Sequence, residues 1–161
     1  MELIDKIKMS VKDLDLFYGD KQALKKINMD IKENKVTALI GPSGCGKSTF
    51  IRTLNRMNDL IEDVTIKGNI SVDGEDIYTS DDVINLRTKV GMVFQESRLM
   101  PWLNVSENIL LHSEKDNRNK VDLDKYLKMM KLEKFKKSYP NELSGGMAHR
   151  VSIARALSFN P

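Results

Sequence analysis

The sequence predicts an α/β domain, and three consecutive stretches predict it. Val36-Thr37-Ala38-Leu39-Ile40 is apolar and rich in β-branched residues, the pattern of a strand buried on both faces. Gly41-Pro42-Ser43-Gly44-Cys45-Gly46-Lys47-Ser48 follows it with no spacer. Phe50, Ile51, Leu54 and Met57 then recur at helical spacing. Strand, glycine-rich turn and amphipathic helix in that order place a set of backbone N–H groups around one point.

Composition sets the outer limits. The 161 residues suffice for a compact core, and 40% hydrophobic with 30% charged residues is the balance of a globular domain. A net charge of only +3 argues against a dedicated nucleic-acid binder, which needs a clustered basic face. The single cysteine, Cys45, excludes an internal disulfide and fits a reducing cytoplasm. The longest apolar runs, 36–40 and 109–111, fall far short of the roughly 20 residues that span a bilayer. The start, Met1-Glu2-Leu3-Ile4-Asp5-Lys6, lacks the apolar core of a signal peptide. A membrane role is therefore expected to come through a partner.

The remaining elements follow from periodicity. Ile27, Met29 and Ile31 alternate with polar residues, as in a half-buried strand, and Glu33-Asn34-Lys35 reads as a turn. Ile70-Ser71-Val72 runs into Asp73-Gly74, a tight-turn signal. Ser80 is placed to cap a short helix that carries Val83 and Leu86 inward. Residues 90–94 read as another strand, ending at Gln95. Beyond it, Leu99-Met100-Pro101-Trp102 is an apolar connector, and Ser106 opens a helix to about Leu111. Residues 112–120 are polar and read as a loop, where His112 is a solvated side chain rather than a ligand. Leu123, Tyr126, Leu127 and Met130 form one apolar helix stripe, which Tyr139-Pro140 ends. The basic run 131–137 is by default a solvated helix end, with a membrane-protein contact as the alternative. Ser144-Gly145-Gly146 opens a last helix whose inner face is expected to carry Met147, Val151, Ala154 and Leu157. The organisation expected is a β-rich core with the glycine loop over 1–97, a helical subdomain over 98–142, and a final helix over 143–161.

The glycine loop has the spacing Gly, four residues, Gly-Lys-Ser of a phosphate-binding loop. Glycines let the backbone approach an anion closely, and the helix adds its positive N-terminal end. Gly41, Pro42, Ser43, Gly44, Cys45 and Gly46 form the cradle. Lys47 is placed to reach the β- and γ-phosphates, Ser48 to ligate Mg²⁺, and Thr49 to donate to the α-phosphate. Cys45 holds a variable position of the loop and needs no redox role. The loop alone identifies a P-loop nucleotide binder, without separating a transporter ATPase from a small-molecule kinase.

Three further motifs in the expected order make the distinction. Leu143-Ser144-Gly145-Gly146-Met147, with Arg150 and Ile153-Ala154-Arg155-Ala156-Leu157 behind it, resembles the signature motif of the ATP-binding subunits of ABC transporters. Val90-Gly91-Met92-Val93-Phe94-Gln95 resembles their glutamine-loop strand, and Tyr18-Gly19 stands where their adenine-stacking aromatic lies. The resemblance covers essentially the whole chain and makes a kinase improbable. It implies an ABC-type nucleotide-binding fold, a mixed sheet around the phosphate loop plus a helical subdomain. It also implies ATP and Mg²⁺ as ligands, with Gln95 as a second Mg²⁺ ligand that approaches the attacking water, and Lys47 and Gln95 as the catalytic pair. Tyr18 would stack on adenine; an ordinary strand-end tyrosine, with Phe17 as the stacking ring, is the alternative. Ser144, Gly145 and Gly146 would face the γ-phosphate held by a second ATP-binding subunit in a head-to-tail dimer. The implied partners include integral-membrane permease subunits and, indirectly, a substrate-binding protein, at the cytoplasmic face of the cell membrane. Met147 and His149 depart from the more usual glutamines, and Met147 is not read as inactivating.

The resemblance divides by cargo. Residues 36–40 through Leu54-Asn55-Arg56-Met57-Asn58-Asp59-Leu60-Ile61 resemble phosphate-importer ATPases. Residues 95–102 and 139–147 are more similar to nitrate-, sulfonate- and taurine-importer ATPases, and amino-acid importers share some of the pattern. Phosphate, or another anion, is the expectation. In the family, a strand ending in an Asp-Glu pair comes after the signature helix, and here the sequence ends at Asn160-Pro161. That strand pairs beside 36–40, so the expectation for this chain is an open strand edge, nucleotide binding, and little or no hydrolysis.

Overall fold

The computed structural model describes residues 6–79, 82–111 and 121–159. The expected cap at Ser80, the loop over 112–120 and His112 lie outside the described residues. The chain divides into two compact units, Met1–Leu86 and Arg87–Pro161.

The first unit is built on a four-stranded sheet in the order β2-β1-β3-β4. β1 (Ile7–Tyr18) and β2 (Lys21–Lys32) form a long hairpin, and β3 (Val64–Val72) pairs with the other edge of β1. The Asp73-Gly74 turn, both residues at positive φ, folds β3 back onto β4 (Glu75–Asp76). Every pairing is antiparallel. Leu14, Leu16, Ile70 and Val72 are buried, so one face of the sheet supplies the core. β1 bulges at Asp13, whose φ is 49°, and the register shifts there against both neighbours. Asn28 secures the bulge: its Oδ1 accepts from the Asp13 N–H at 3.0 Å and its Nδ2 donates to the Asp13 carboxylate at 3.2 Å. Gly68 lies opposite, at φ 100°, where a Cβ would stand 2.4 Å from the Asp13 carbonyl oxygen. Only glycine allows that approach.

Two expected strands are not formed. Residues 36–40 and 90–94 carry no ladder, and Val36 and Ile40 are 98% and 95% exposed rather than buried on both faces. The apolar pattern is genuine, but a strand exists only when a neighbour takes its N–H and C=O groups. Among the described residues no strand pairs with either segment. The expected mixed sheet therefore appears here as an antiparallel one, with the phosphate loop attached through an extended segment outside it.

The second unit is helical. α2 (Val83–Lys89) straddles the boundary, with Leu86 buried. α3 (Val105–Ile109), α4 (Leu123–Met130) and α5 (Gly145–Leu157) enclose a core of Val105, Ile109, Leu127, Leu132, Val151 and Ala154. The stripe Leu123, Tyr126, Leu127, Met130 faces that core as its spacing predicts. Helix α3 starts one residue earlier than expected, because Asn104 and Glu107 form a reciprocal capping box. On α5 the inner face is Ala148, Val151, Ser152 and Ala154, while Leu157 is 38% exposed. Met147 packs against the core. Buried Asn108 fixes the preceding turn: its Oδ1 accepts from Met100 N–H, and its Nδ2 donates to the carbonyls of Met100, Leu103 and Asn104. Ser158 Oγ donates to the Ile109 carbonyl at 2.9 Å, tying the end of α5 to the end of α3.

Two stability outcomes follow. Leu127→Ala empties a fully buried site and is expected to cost about 2–5 kcal/mol of unfolding free energy in urea titration followed by far-UV circular dichroism. Gly68→Ala meets two backbone carbonyls at a left-handed φ and is expected to destabilise the sheet by a comparable amount in the same measurement.

Candidate functional site

The phosphate loop ends at α1 (Lys47–Thr53), whose N-cap is Gly46 at φ 95°. That left-handed turn is one reason for glycine there. The other is space: a Cβ on Gly46 would lie 2.9 Å from Leu24 Cδ2 and 3.1 Å from the Ala23 carbonyl oxygen. The loop is thereby seated against β2. No side chain caps α1, so its first-turn N–H groups are left for an incoming acceptor. Ser43, Gly44, Cys45 and Ser48 are exposed along the same turn.

Lys47 reaches back across the loop. Its Nζ donates to the carbonyls of Gly41 and Pro42, each at 2.7 Å, and lies 3.4 Å from Cys45 Sγ. The ammonium thus occupies the concavity that the glycines shape, and an anion there meets a fixed positive charge and oriented N–H groups together. The helix bearing these groups is held from below. Thr49 turns its carbonyl to Thr53 Oγ1 at 2.8 Å and to Asn58 Nδ2 at 2.9 Å. Asn58, fully buried, also donates to Thr53 Oγ1 at 2.7 Å and accepts from the Tyr18 hydroxyl at 3.4 Å.

That last contact bears on Tyr18. Its hydroxyl points to the α1 side of the sheet end, whereas neighbouring Phe17 lies 5.8 Å from the Lys67 ammonium. Adjacent strand residues face opposite ways. The two aromatic rings the sequence left as alternatives are therefore on different faces, and the one on the α1 side is Tyr18. A lone asparagine gives no sequence signal of its burial, so the bracing role of Asn58 is legible only in the fold. Arg56 and Asp59 pair at 2.8 Å beside it, and the Arg56 guanidinium also lies over the Tyr78 ring. Burial first, and the Asp59 carboxylate second, push the Tyr78 phenol well above its ordinary value. Within the 54–61 stretch, buried Leu54, Asn55 and Asn58 and the Arg56–Asp59 pair brace the end of α1.

The second unit brings its own candidates. Ser144 caps α5, its Oγ accepting from Met147 N–H at 3.3 Å. Gly145 and Gly146 are exposed, and a Cβ on either would touch nothing within 4 Å. Their bareness is not required by packing within this chain. Gln95 is exposed in a bend rather than at the end of a strand. Phe94, beside it, lies under the Arg98 guanidinium at 4.3 Å. His149 is half-buried on α5. Among the described residues no group of three His, Cys, Asp or Glu side chains forms a metal site, and no helix is long and apolar enough to cross a membrane.

The glycine loop, with its lysine folded back and an uncapped helix after it, has the form of a phosphate-binding loop. Residues 24–161 match the ABC transporter family, and the chain belongs to it. Solved structures agree. The chain is similar to cbiO1 from Clostridium perfringens, part of the ABC transporter complex cbiONQ, with a TM-score of 0.82 and 31% identity over 97% of this chain. It is also similar to the ATP-binding cassette MJ0796 in a dimeric post-hydrolysis state bound to ADP and Pi, with a TM-score of 0.75 and 33% identity over 95% of this chain. A further dimeric structure of MJ0796, described as a bacterial ABC transporter cassette, matches at 34% identity and the same TM-score, again over 95% of this chain. This chain spans 63% of the cbiO1 chain and 70% of each MJ0796 chain.

Asn58→Ala leaves the Thr49 carbonyl and Thr53 hydroxyl without their buried donor. It is expected to lower stability by about 1–3 kcal/mol in denaturant titration, whereas Asp59→Asn on the exposed side changes it by less than about 1 kcal/mol.

Proposed function

We propose that this chain is the ATP-binding, energy-coupling component of an ABC importer. The observation that carries the reading is the Lys47 ammonium held inside the glycine loop at the start of an uncapped helix. Lys47 takes the β- and γ-phosphates, Ser48 presents its exposed hydroxyl to Mg²⁺, and Thr49 donates to the α-phosphate. Tyr18 stacks on adenine. Gln95 carries the second Mg²⁺ role and the approach to the attacking water. Mg²⁺ supplies charge neutralisation on the phosphates during in-line attack by water. The open helix start at Ser144, Gly145 and Gly146 accepts the γ-phosphate of a second copy in a head-to-tail dimer, and their unobstructed backbone supports that role.

The dimeric form of MJ0796 with ADP and Pi supports both the nucleotide and the dimer. The place of cbiO1 in an ABC transporter complex supports membrane permease partners; the cytoplasmic face and a substrate-binding protein further out rest on the sequence resemblance alone. Phosphate is the cargo favoured by the sequence resemblance, with other anions next. A second reading is that the 161-residue chain by itself binds nucleotide without turning it over. The exposure of Val36 and Ile40, in the segment that leads into the loop, favours it.

Equilibrium binding tests the core of this proposal. Lys47→Ala is expected to weaken ATP binding about 10- to 100-fold, the loss of one charge-assisted contact, and equal affinity of the two proteins overturns it. Phosphate release by the purified chain separates the two readings: Lys47-dependent turnover rejects the binding-only one.

A further inference from the structure

The segment around Gln95 is closed upon itself. Phe94 and Arg98 bracket it, with the Arg98 guanidinium stacked on the Phe94 ring. Arg98 has a φ of 43°, a left-handed conformation that arginine seldom adopts. Such a backbone persists only where its surroundings fix it.

Arg155 provides that constraint. Its Nη1 and Nη2 both donate to the Arg98 carbonyl at 3.2 Å, and Nη2 also lies 3.4 Å from the Ser97 carbonyl. The planar fork of a guanidinium suits two adjacent carbonyls, which a lysine ammonium does not match in the same way. Burial lowers the Arg155 pKa from its ordinary value, yet arginine stays a cation at neutral pH. No carboxylate pairs with it among the described residues, so the side chain is spent on backbone oxygens. Arg155 stands on α5, the helix that Ser144 caps.

We propose that Arg155 is a positioning residue for Gln95: it pins the 94–98 bend to the signature helix, so that Gln95 and the Ser144–Gly146 turn move as one body. This rests on the nucleotide role given to Gln95 above and adds the link through which the signature helix governs it.

The test uses the 161-residue chain and its Arg155→Met and Arg155→Lys variants. In Arg155→Met, hydrogen exchange of the 96–100 amides is expected to quicken about tenfold, while the amides of Leu127 and Val151 keep their protection. Arg155→Lys is expected to fall between. ATP affinity is then measured with Mg²⁺ and with EDTA. Arg155→Met should lose the Mg²⁺-dependent gain as fully as Gln95→Ala does, the double variant should be no worse than either, and affinity in EDTA should be unchanged. Unaltered exchange at 96–100 overturns the proposal. So does a Mg²⁺ gain that survives in Arg155→Met but is lost in Gln95→Ala. A gain that survives in Gln95→Ala removes the Gln95 role and the positioning with it, whereas equal ATP affinity in Lys47→Ala marks failure of the nucleotide reading itself. Should Arg155→Met expose its core amides, Arg155→Lys carries the same comparison.

Discussion

The side-chain amide of Asn58 joins helix α1 to the end of the central strand. Its Nδ2 takes the Thr49 carbonyl and the Thr53 hydroxyl, and its Oδ1 faces the Tyr18 hydroxyl. A buried amide left unsatisfied is costly, so this set of bonds allows α1 little freedom of rotation. The direction of α1 in turn aims the first-turn N–H groups and the Lys47 stem. The geometry of the phosphate loop thus depends on a residue that touches no phosphate.

The helical unit solves the same problem in the same way. Buried Asn108 gathers the backbone of the Met100–Asn104 turn, and Ser158 ties α5 back to α3. Between these anchors α5 is set by Val151 and Ala154 in the core, leaving Ser144 and the two glycines at its exposed start. Each unit therefore presents a glycine-bearing helix start from a base fixed by buried polar bonds, uncapped on α1 and capped by Ser144 on α5. In the first unit Lys47 reaches back to the carbonyls of its own loop; in the second, a Cβ on Gly145 or Gly146 would meet nothing within 4 Å among the described residues.

Much of this was legible beforehand. The Gly-x4-Gly-Lys-Ser spacing, the Leu143–Met147 motif and the stripe on α4 are local patterns, and local patterns survive folding. The long strand β1 was not delimited, because its bulge at Asp13 breaks the alternation of buried residues. The apolar β-branched content of residues 36–40 and 90–94 predicts strands, yet that content reports an affinity for a sheet, not the presence of a neighbour to pair with. Leu157 was placed inward from helical spacing, and the end of α5 turned it outward, burying Ser158 instead.

The sequence by itself determined where the Gly-x4-Gly-Lys-Ser spacing, its lysine and the Ser-Gly-Gly helix start lie along the chain. These rest on residue type and spacing along one stretch of chain, where backbone geometry leaves few choices. Tertiary structure alone decided how the cradle is held, which aromatic ring shares the α1 side, and that Arg155 reaches the backbone of the bend behind Gln95. The Tyr18 and Arg155 contacts join residues 40 to 58 positions apart, and no local pattern encodes which of many distant groups a buried amide or guanidinium will meet.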